Sequence, residues 1–212
     1  MLIATLIRRR RDRRLWQGAK SLADLGELTA RWLEGTLTYH PGYYGGPHRE
    51  TAGLVPVLAT LNRAGFVTTS SQPGYGARPG FDGAAWAQRP AVEGLADPCT
   101  AARLCAAAIG AGLHVVTAPA MAGEESTAGK AIPVTTRDGH THTVFGPVAY
   151  THLREQFFDC RVPALDKPLL AAWQVTIADL RWRESDLLWR TLADAVDTTR
   201  RPAQAAHLAA GT

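Results

Sequence analysis

The sequence lacks the marks of several protein classes. Only three of its 212 residues are cysteines, at positions 99, 105 and 160, and they form no Cys-x-x-Cys pair. An odd number without such spacing predicts small core-filling thiols in a reduced compartment. No apolar run reaches the roughly 18 residues of a membrane span. The apolar residues at the start precede the arginines, the reverse of a secretory signal, so we expect a cytoplasmic protein.

Signature motifs of nucleotide binding and serine catalysis are also missing. The sequence contains no GxxxxGK[ST], and no GxGxxG follows a predicted strand. The glycines at 74–80 precede no helix that would aim amides at a phosphate. Ser70 and Ser71 end a strand without a GxSxG elbow, so a serine nucleophile with His114 or His152 is the weaker interpretation. The sequence therefore assigns no reaction and no cofactor.

The seven histidines do not predict a metal site. His140 and His142 are two apart in a predicted strand, so they share a face and would bind a metal only with a third ligand. Beside a turn such residues are usually exposed polar side chains. His40 and His48, in a loop rich in tyrosine, form a similarly weak pair.

The positive charge of the chain is concentrated in one segment. The formal net charge is +4, and residues 8–14 alone contribute six arginines and one aspartate. The rest of the chain is therefore close to neutral. One interpretation is a surface for nucleic-acid phosphates; the other is a solvated, disordered extension over residues 1–19. The arginines concerned are Arg8, Arg9, Arg10, Arg11, Arg13 and Arg14.

Helical spacing and capping residues locate the elements of the N-terminal half. Ser21 begins a helix, with Asp24 three residues on as in a capping box. Thr51 caps a second helix, which Gly65 ends. A strand follows over residues 66–71 and a glycine- and proline-rich loop over 73–83.

The C-terminal half alternates strands and helices. Residues 84–96 predict a strand interrupted by Pro90, and Asp97 with Pro98 begins a helix. A strand over 113–118, a loop over 119–131 and a hairpin turning at Asp138-Gly139 follow. We expect a helix from 149, a strand near 173–177 and a final helix.

This order predicts an α+β fold. We expect one mixed, mainly antiparallel sheet with helices packed mostly on one face. The predicted organisation is a basic extension over 1–19, a single domain over 20–197 and a frayed tail over 198–212.

The segment TTSSQPG, residues 68–74, is the best candidate for a binding site. Ligands gather beyond strand ends, where polar loop residues converge. Strand alternation predicts that Thr69 and Ser71 share one face, and that Thr68, Ser70 and Gln72 share the other. The alternative is local: these side chains satisfy backbone groups of a tight Pro-Gly turn.

Polar residues of the next predicted strand are natural companions of this segment. Gln88, Arg89 and Glu93 stand on a strand that antiparallel pairing would bring beside it. Arg89 suits a phosphate or carboxylate. The alternative for Arg89 is an internal ion pair with Glu93 or Asp82.

A resemblance rests on three stretches: SLADLGELTARWLEG, PVLATLNRAGFVTTSSQPG and QRPAVEG. Together they resemble an actinomycete family of unknown function with the pattern LNxxGFxTxxSQPG…QRxxVEG, over roughly residues 20–120. The helix–strand unit is also similar to one in a wybutosine-pathway methyltransferase family and in small phage and bacterial proteins reading LNxxGxxTxxSCxGH. Gln72 here replaces the cysteine of that pattern and Pro73 follows it. The resemblance therefore implies an architecture and a site position but no reaction.

Three functions are compatible with these patterns. The first, which we favour, is the binding of a small molecule or nucleotide by Thr69, Ser70, Ser71, Gln72, Gln88, Arg89 and Glu93. The second is association with nucleic acid through the arginine run. The third is a protein-interaction module using the tyrosine-rich loop at residues 39–48.

Overall fold

A computed structural model describes residues 2–43, 45–156 and 168–197 of the chain. Its helices are α1 (Leu2–Gln17), α2 (Leu22–Leu33), a 3-10 helix (Arg49–Leu54), α3 (Val55–Arg63), α4 (Pro98–Gly110), α5 (Glu124–Thr127), α6 (Tyr150–Gln156) and α7 (Leu187–Val196). Its strands are β1 (Phe66–Gln72), β2 (Tyr75–Pro79), β3 (Ala85–Gln88), β4 (Ala91–Ala96), β5 (His114–Pro119), β6 (Ile132–Arg137), β7 (His140–Phe145) and β8 (Trp173–Ala178).

The first sheet has the strand order β1-β4-β8-β5, and every pairing is antiparallel. Helices α2, α3, α4 and α7 supply apolar side chains to the core on one face of this sheet. Helix α2 approaches α3 closely because Gly26 has no side chain; a Cβ there would lie 2.2 Å from the carbonyl oxygen of Asn62. Fully buried side chains of this core include Leu25, Leu58, Leu61, Phe66, Leu104, Ile177, Leu188 and Leu192.

The second sheet has the order β2-β3-β6-β7, again antiparallel throughout. Three of its apolar side chains, Ile132, Val134 and Phe145, form a small cluster with Ala91 and Ala178 of the first sheet. This cluster seats the second sheet against one end of the first, on the face away from helices α3 and α4.

The α+β class is confirmed, but the strands form two sheets rather than the single sheet that the sequence predicted. The division occurs at Pro90, which lacks the N–H that a continuous strand would need. Gln88 pairs with Thr135 in the second sheet, whereas Ala91 pairs with Gln72 and Ala178 in the first. Residues 84–96 are therefore two strands that belong to different sheets.

Most predicted helix and turn signals are confirmed. The Ser21 hydroxyl accepts from the N–H of Asp24 (3.1 Å), and Asp97 accepts from the N–H groups of Cys99 and Thr100. Gly65 ends α3 with a φ of +93°. Asp138 and Gly139 have positive φ angles at the hairpin turn between β6 and β7, as an Asp-Gly turn requires.

Three local predictions are wrong. Residues 73–83 are not all loop, because Tyr75–Pro79 pair with β3 as strand β2. Thr51 does not cap a helix; it lies inside the 3-10 helix, and His48 Nδ1 accepts from the N–H of Glu50 instead. Cys99 is exposed and does not fill the core as expected, whereas half-buried Cys105 packs against it. Cys160 and the predicted tail over 198–212 lie outside the described residues.

The arginine run is helical rather than disordered. Helix α1 is anchored by Trp16, which is fully buried and donates from Nε1 to the carbonyl oxygen of Tyr39 (2.9 Å). One turn earlier, buried Asp12 accepts from both the N–H and the hydroxyl of Thr38, at 2.7 and 2.8 Å. These two residues fix α1 against the segment that follows α2. Across the described residues no helix is both long and apolar enough to cross a bilayer.

Candidate functional site

A β-bulge changes which side chains of β1 face the same way. Thr68 pairs with Gly94, and Ser70 pairs with Glu93, the neighbour of Gly94 on β4; the register shifts between them. Adjacent strand residues point to opposite faces, so Thr68 and Ser70 do not share a face as the sequence predicted. Thr68 instead turns to α3, where its hydroxyl accepts from Asn62 Nδ2 (2.7 Å).

Gln72 joins the two sheets. Its Nε2 donates to the carbonyl oxygens of Arg89 (3.1 Å) and Val134 (2.8 Å), and its Oε1 accepts from the hydroxyl of Thr135 (3.2 Å). Val134 and Thr135 belong to β6, whereas Gln72 ends β1. The side chain therefore holds neighbouring strands of different sheets in a fixed position, with both its polar atoms engaged.

Arg89 reinforces the same junction. The predicted adjacency with the end of β1 is present, but the Arg89 guanidinium turns away from it. Nε donates to the carbonyl oxygen of Leu180 (2.8 Å), a terminal nitrogen donates to that of Pro133 (2.7 Å), and the group lies 4.1 Å from the Trp182 ring centroid. The predicted ion pair with Glu93 or Asp82 is not formed. Burial lowers the pKa of Arg89 from its ordinary value.

Ser70, Glu93 and Tyr43 form a second group, beside the bulge. The Ser70 hydroxyl is close enough to the Glu93 carboxyl and the Tyr43 phenol to oppose, in each, the rise in pKa that burial causes. The Tyr43 hydroxyl also donates to the carbonyl oxygen of Thr69, while its ring stacks on Trp32. The Thr69 hydroxyl donates to the Glu93 carbonyl oxygen at 3.3 Å. Ser71, on the other face, lies half-buried opposite Val92.

Glu93 has the most perturbed carboxyl of this group. Burial raises its pKa to about 7, although it accepts from the N–H of Gly146 at 2.9 Å. The carboxyl borders a cavity of ≈ 20 Å³ that Thr69, Gln174 and Thr176 also line. A space of that size holds about one water molecule. The cluster is therefore a confined polar site with room for about one water molecule rather than an open binding pocket.

A third region is an open groove of ≈ 950 Å³ on the outer face of the second sheet. Trp86 lies on its floor, where its Nε1 donates to Asp82 (3.0 Å) and its ring meets His142 edge-on at 4.7 Å between centroids. Gly80 permits the turn to approach this indole, because a Cβ there would lie 2.5 Å from Trp86 Cδ1. The remaining lining residues include His48, Glu50, Tyr75, Arg78, Phe81, Gln88, Thr135 and Thr143.

Gln88 is the predicted site residue that lines this groove. Its side chain is 4% exposed, yet its Nε2 has no hydrogen-bond partner among the described residues. A buried donor without a partner costs on the order of 1–3 kcal/mol, so native proteins rarely retain one without a ligand, water or ion to satisfy it. Among the described residues, the Gln88 amide is thus a buried donor at the groove without an acceptor.

The structure thus divides six of the seven predicted site residues among three places, and Ser71 joins none of them. Gln72 and Arg89 support the sheet junction, and Gln88 faces the groove. Thr69 and Glu93 line the small cavity, and Ser70 lies opposite Glu93 in the strand pairing. Gln72 still reaches the groove indirectly, since the Thr135 that it holds lines the groove floor.

Sequence reasoning missed the aromatic and basic residues of the groove. The sequence predicts a loop for Tyr75 and Arg78, whereas both lie on edge strand β2, whose register against β3 shifts between them. The Arg78 guanidinium lies 3.6 Å from the centroid of the Tyr75 ring. Tyr43 was seen only as a loop aromatic.

The histidines of the two weak pairs have different surroundings. His40 is buried against Trp16 and Trp32, and burial lowers its pKa to about 3, whereas His48 lies at the groove. His142 contacts Trp86 rather than a second histidine. Within the described ranges no three histidine, cysteine or acidic side chains come together around a common point for a metal.

The raised pKa of Glu93 predicts a pH-dependent stability. Between its unfolded value near 4.5 and about 7, the unfolded chain releases this proton and the folded protein keeps it, so stability falls as pH rises. Glu93→Gln keeps an oxygen that can accept from the N–H of Gly146 but removes the carboxyl group that titrates. As pH rises from ~5 to ~7.5, we expect the free energy of unfolding of E93Q to increase by about 1–3 kcal/mol relative to that of wild type, measured by urea unfolding.

His40 titrates in the opposite sense, because its depressed pKa means that acid destabilises the folded protein. Comparing E93Q with wild type at each pH cancels that contribution, which both proteins share. A difference in unfolding free energy that stays constant with pH would contradict the assignment of a protonated Glu93.

Comparison with known proteins places this architecture in a family without assigning it a reaction. No curated protein matches the chain. A family model described as a domain of unknown function, DUF6919, matches residues 11–199 and thus includes the sheet junction, the small cavity and the groove. It also includes three of the six arginines of the run, Arg11, Arg13 and Arg14. The match confirms the expected relation to an uncharacterised family, while the actinomycete origin stays a prediction. The chain belongs to the DUF6919 family.

Proposed function

We propose that the protein binds a small ligand, in the class that includes nucleotides, and that the binding site is the groove over β2, β3, β6 and β7. The single observation that carries this proposal is the unpartnered Nε2 of buried Gln88 at the groove floor. The groove has a volume of ≈ 950 Å³, which is that of a small-molecule site. The predicted strand-end segments contribute in two ways, Gln88 directly and Gln72 through Thr135.

Removing the Gln88 amide should separate ligand binding from folding. Gln88→Leu keeps the shape of the side chain and deletes the unsatisfied donor. We expect the free protein to unfold at the same temperature or slightly higher, by up to about 1 kcal/mol of stability. A thermal-shift screen with nucleotides, sugars and small organic acids should raise the melting temperature of wild type but not of Q88L.

The matched control is Gln17→Leu, the same chemical change at an exposed position on α1. Q17L should keep the wild-type response to every ligand. A marked fall in the melting temperature of free Q88L would mean that the amide already has a structural partner. That result, or an unaltered ligand response in Q88L, overturns the groove as the binding site.

A second candidate function has its own observation. Asp12, the one acidic residue of the arginine run, is 2% exposed and bound to Thr38, whereas all six arginines are exposed. Helix α1 therefore presents its cations without the carboxylate that the sequence places among them. We propose this helix as a surface for the phosphate backbone of a nucleic acid.

Salt dependence tests that surface. Fluorescence anisotropy with a labelled duplex should give a logarithmic slope of about −0.9 per phosphate neutralised. Arg10, Arg11 and Arg14 changed together to glutamine should flatten the slope by roughly 2–3. The control changes the exposed Arg49, Arg183 and Arg190 to glutamine, with the same loss of charge. If both variants weaken nucleic-acid binding equally, the loss reflects net charge alone, and α1 is excluded as a specific nucleic-acid surface.

The protein-interaction hypothesis stays a prediction. In the described part of the tyrosine-rich loop, Tyr43 stacks on Trp32 and His40 is buried. These contacts fix the loop against the core and neither support nor exclude a protein partner.

A further inference from the structure

We infer that the groove takes an uncharged, polyhydroxylated ligand, which in chemical terms is a sugar unit. The inference rests on the proposed function and selects one ligand class within it. Three features of the groove carry it: a row of neutral hydrogen-bonding side chains, balanced formal charge, and aromatic rings at the same surface.

The neutral row crosses the whole floor. Tyr75 pairs with Gln88, Gln88 with Thr135, and Thr135 with Thr143, so these four side chains stand side by side on one face of β2, β3, β6 and β7. They offer a phenol, an amide and two hydroxyls. Each of these groups both donates and accepts, as does each hydroxyl of a sugar. The Thr135 hydroxyl already gives its proton to Gln72, which leaves its oxygen to accept from a ligand.

The charged residues around this row cancel one another. Asp82 forms an ion pair with Arg137 (3.0 Å). Hydrogen bonds from Trp86, then from the N–H of Ala84 and from Arg137, hold the pKa of Asp82 below its usual range. Of the other charged lining residues, Glu50 is opposite in sign to Arg78. A phosphate or carboxylate would therefore meet no net positive field at the groove, and electrostatic complementarity favours a neutral ligand.

Aromatic rings provide the apolar part of such a site. Trp86 is half-buried on the floor, and Phe81, at the turn between β2 and β3, is fully exposed at the rim. Exposed aromatic side chains beside polar groups are typical of binding surfaces. The C–H faces of a sugar ring pack against such rings while its hydroxyls reach the neutral row.

The test uses the full-length chain and isothermal titration with maltotriose, cellotriose and chitotriose, against AMP and glucuronate as anionic probes. We expect one of the neutral trisaccharides to bind wild type, with an affinity unchanged from low to high salt. Gln88→Leu and Thr143→Val should each weaken binding by about tenfold, since each removes one hydrogen-bonding group. Arg190→Gln, which removes an exposed cation on α7 outside the groove lining, should leave the affinity within about threefold.

The outcomes distinguish the two proposals. If AMP or glucuronate binds instead, with loss in both Q88L and R78Q, the groove is a ligand site and the neutral-ligand inference is overturned. If no probe of either class binds, or if Q88L leaves binding unchanged, both the inference and the proposed site are overturned. Circular dichroism of each variant establishes that a lost affinity is not a lost fold.

Discussion

The arrangement of the two sheets depends on the Gln72 side chain. The chain passes from one sheet to the other at Pro90, where a ladder hydrogen bond is unavailable. Gln72 bridges that break with two donated bonds and one accepted bond, to Arg89, Val134 and Thr135. A glutamine amide is suited to this position because it can donate twice and accept at the same time. The guanidinium of Arg89 adds two further bonds to carbonyl oxygens.

This junction has consequences on both sides of the second sheet. On the inner side, Ile132, Val134 and Phe145 meet Ala91 and Ala178 in a small apolar cluster. On the outer side, the fixed position of β6 aligns Thr135 with Gln88 across the groove floor. The polar groups of the junction are satisfied, whereas the amide of Gln88 is not. That contrast separates Gln72, whose polar atoms are engaged in holding the two sheets together, from Gln88, at which we propose that a ligand binds.

The sequence predicted the individual helices, strands and turns better than the way in which the strands assemble into sheets. Caps and turns are local, so Ser21, Asp97, Gly65 and the Asp138-Gly139 turn were predictable from a few neighbouring residues. The two-sheet arrangement was not, because Pro90 is as compatible with an edge strand or bulge as with a change of sheet. The bulge at Thr69 reversed the facing of Thr68 for the same reason: register is set by the partner strand.

The candidate site illustrates the same limit. The sequence identified polar residues at strand ends and brought β1 beside β4, both of which the structure contains. Whether Gln72, Gln88 or Arg89 retains a free hydrogen-bonding group depends on contacts with β6 and with Leu180, far along the chain. Those contacts are set by tertiary packing, which no pattern around residues 68–93 encodes.

The central claim is that Gln72 holds the second sheet against the first. Hydrogen exchange on Gln72→Leu, with the adjacent Ser71→Ala as control, tests it most directly. The account predicts that amide protection in β3 and β6 falls by about 10- to 100-fold in Q72L, while β4 and β8 keep theirs and S71A resembles wild type. Unchanged protection in β6, or an equal loss in both sheets, would contradict it.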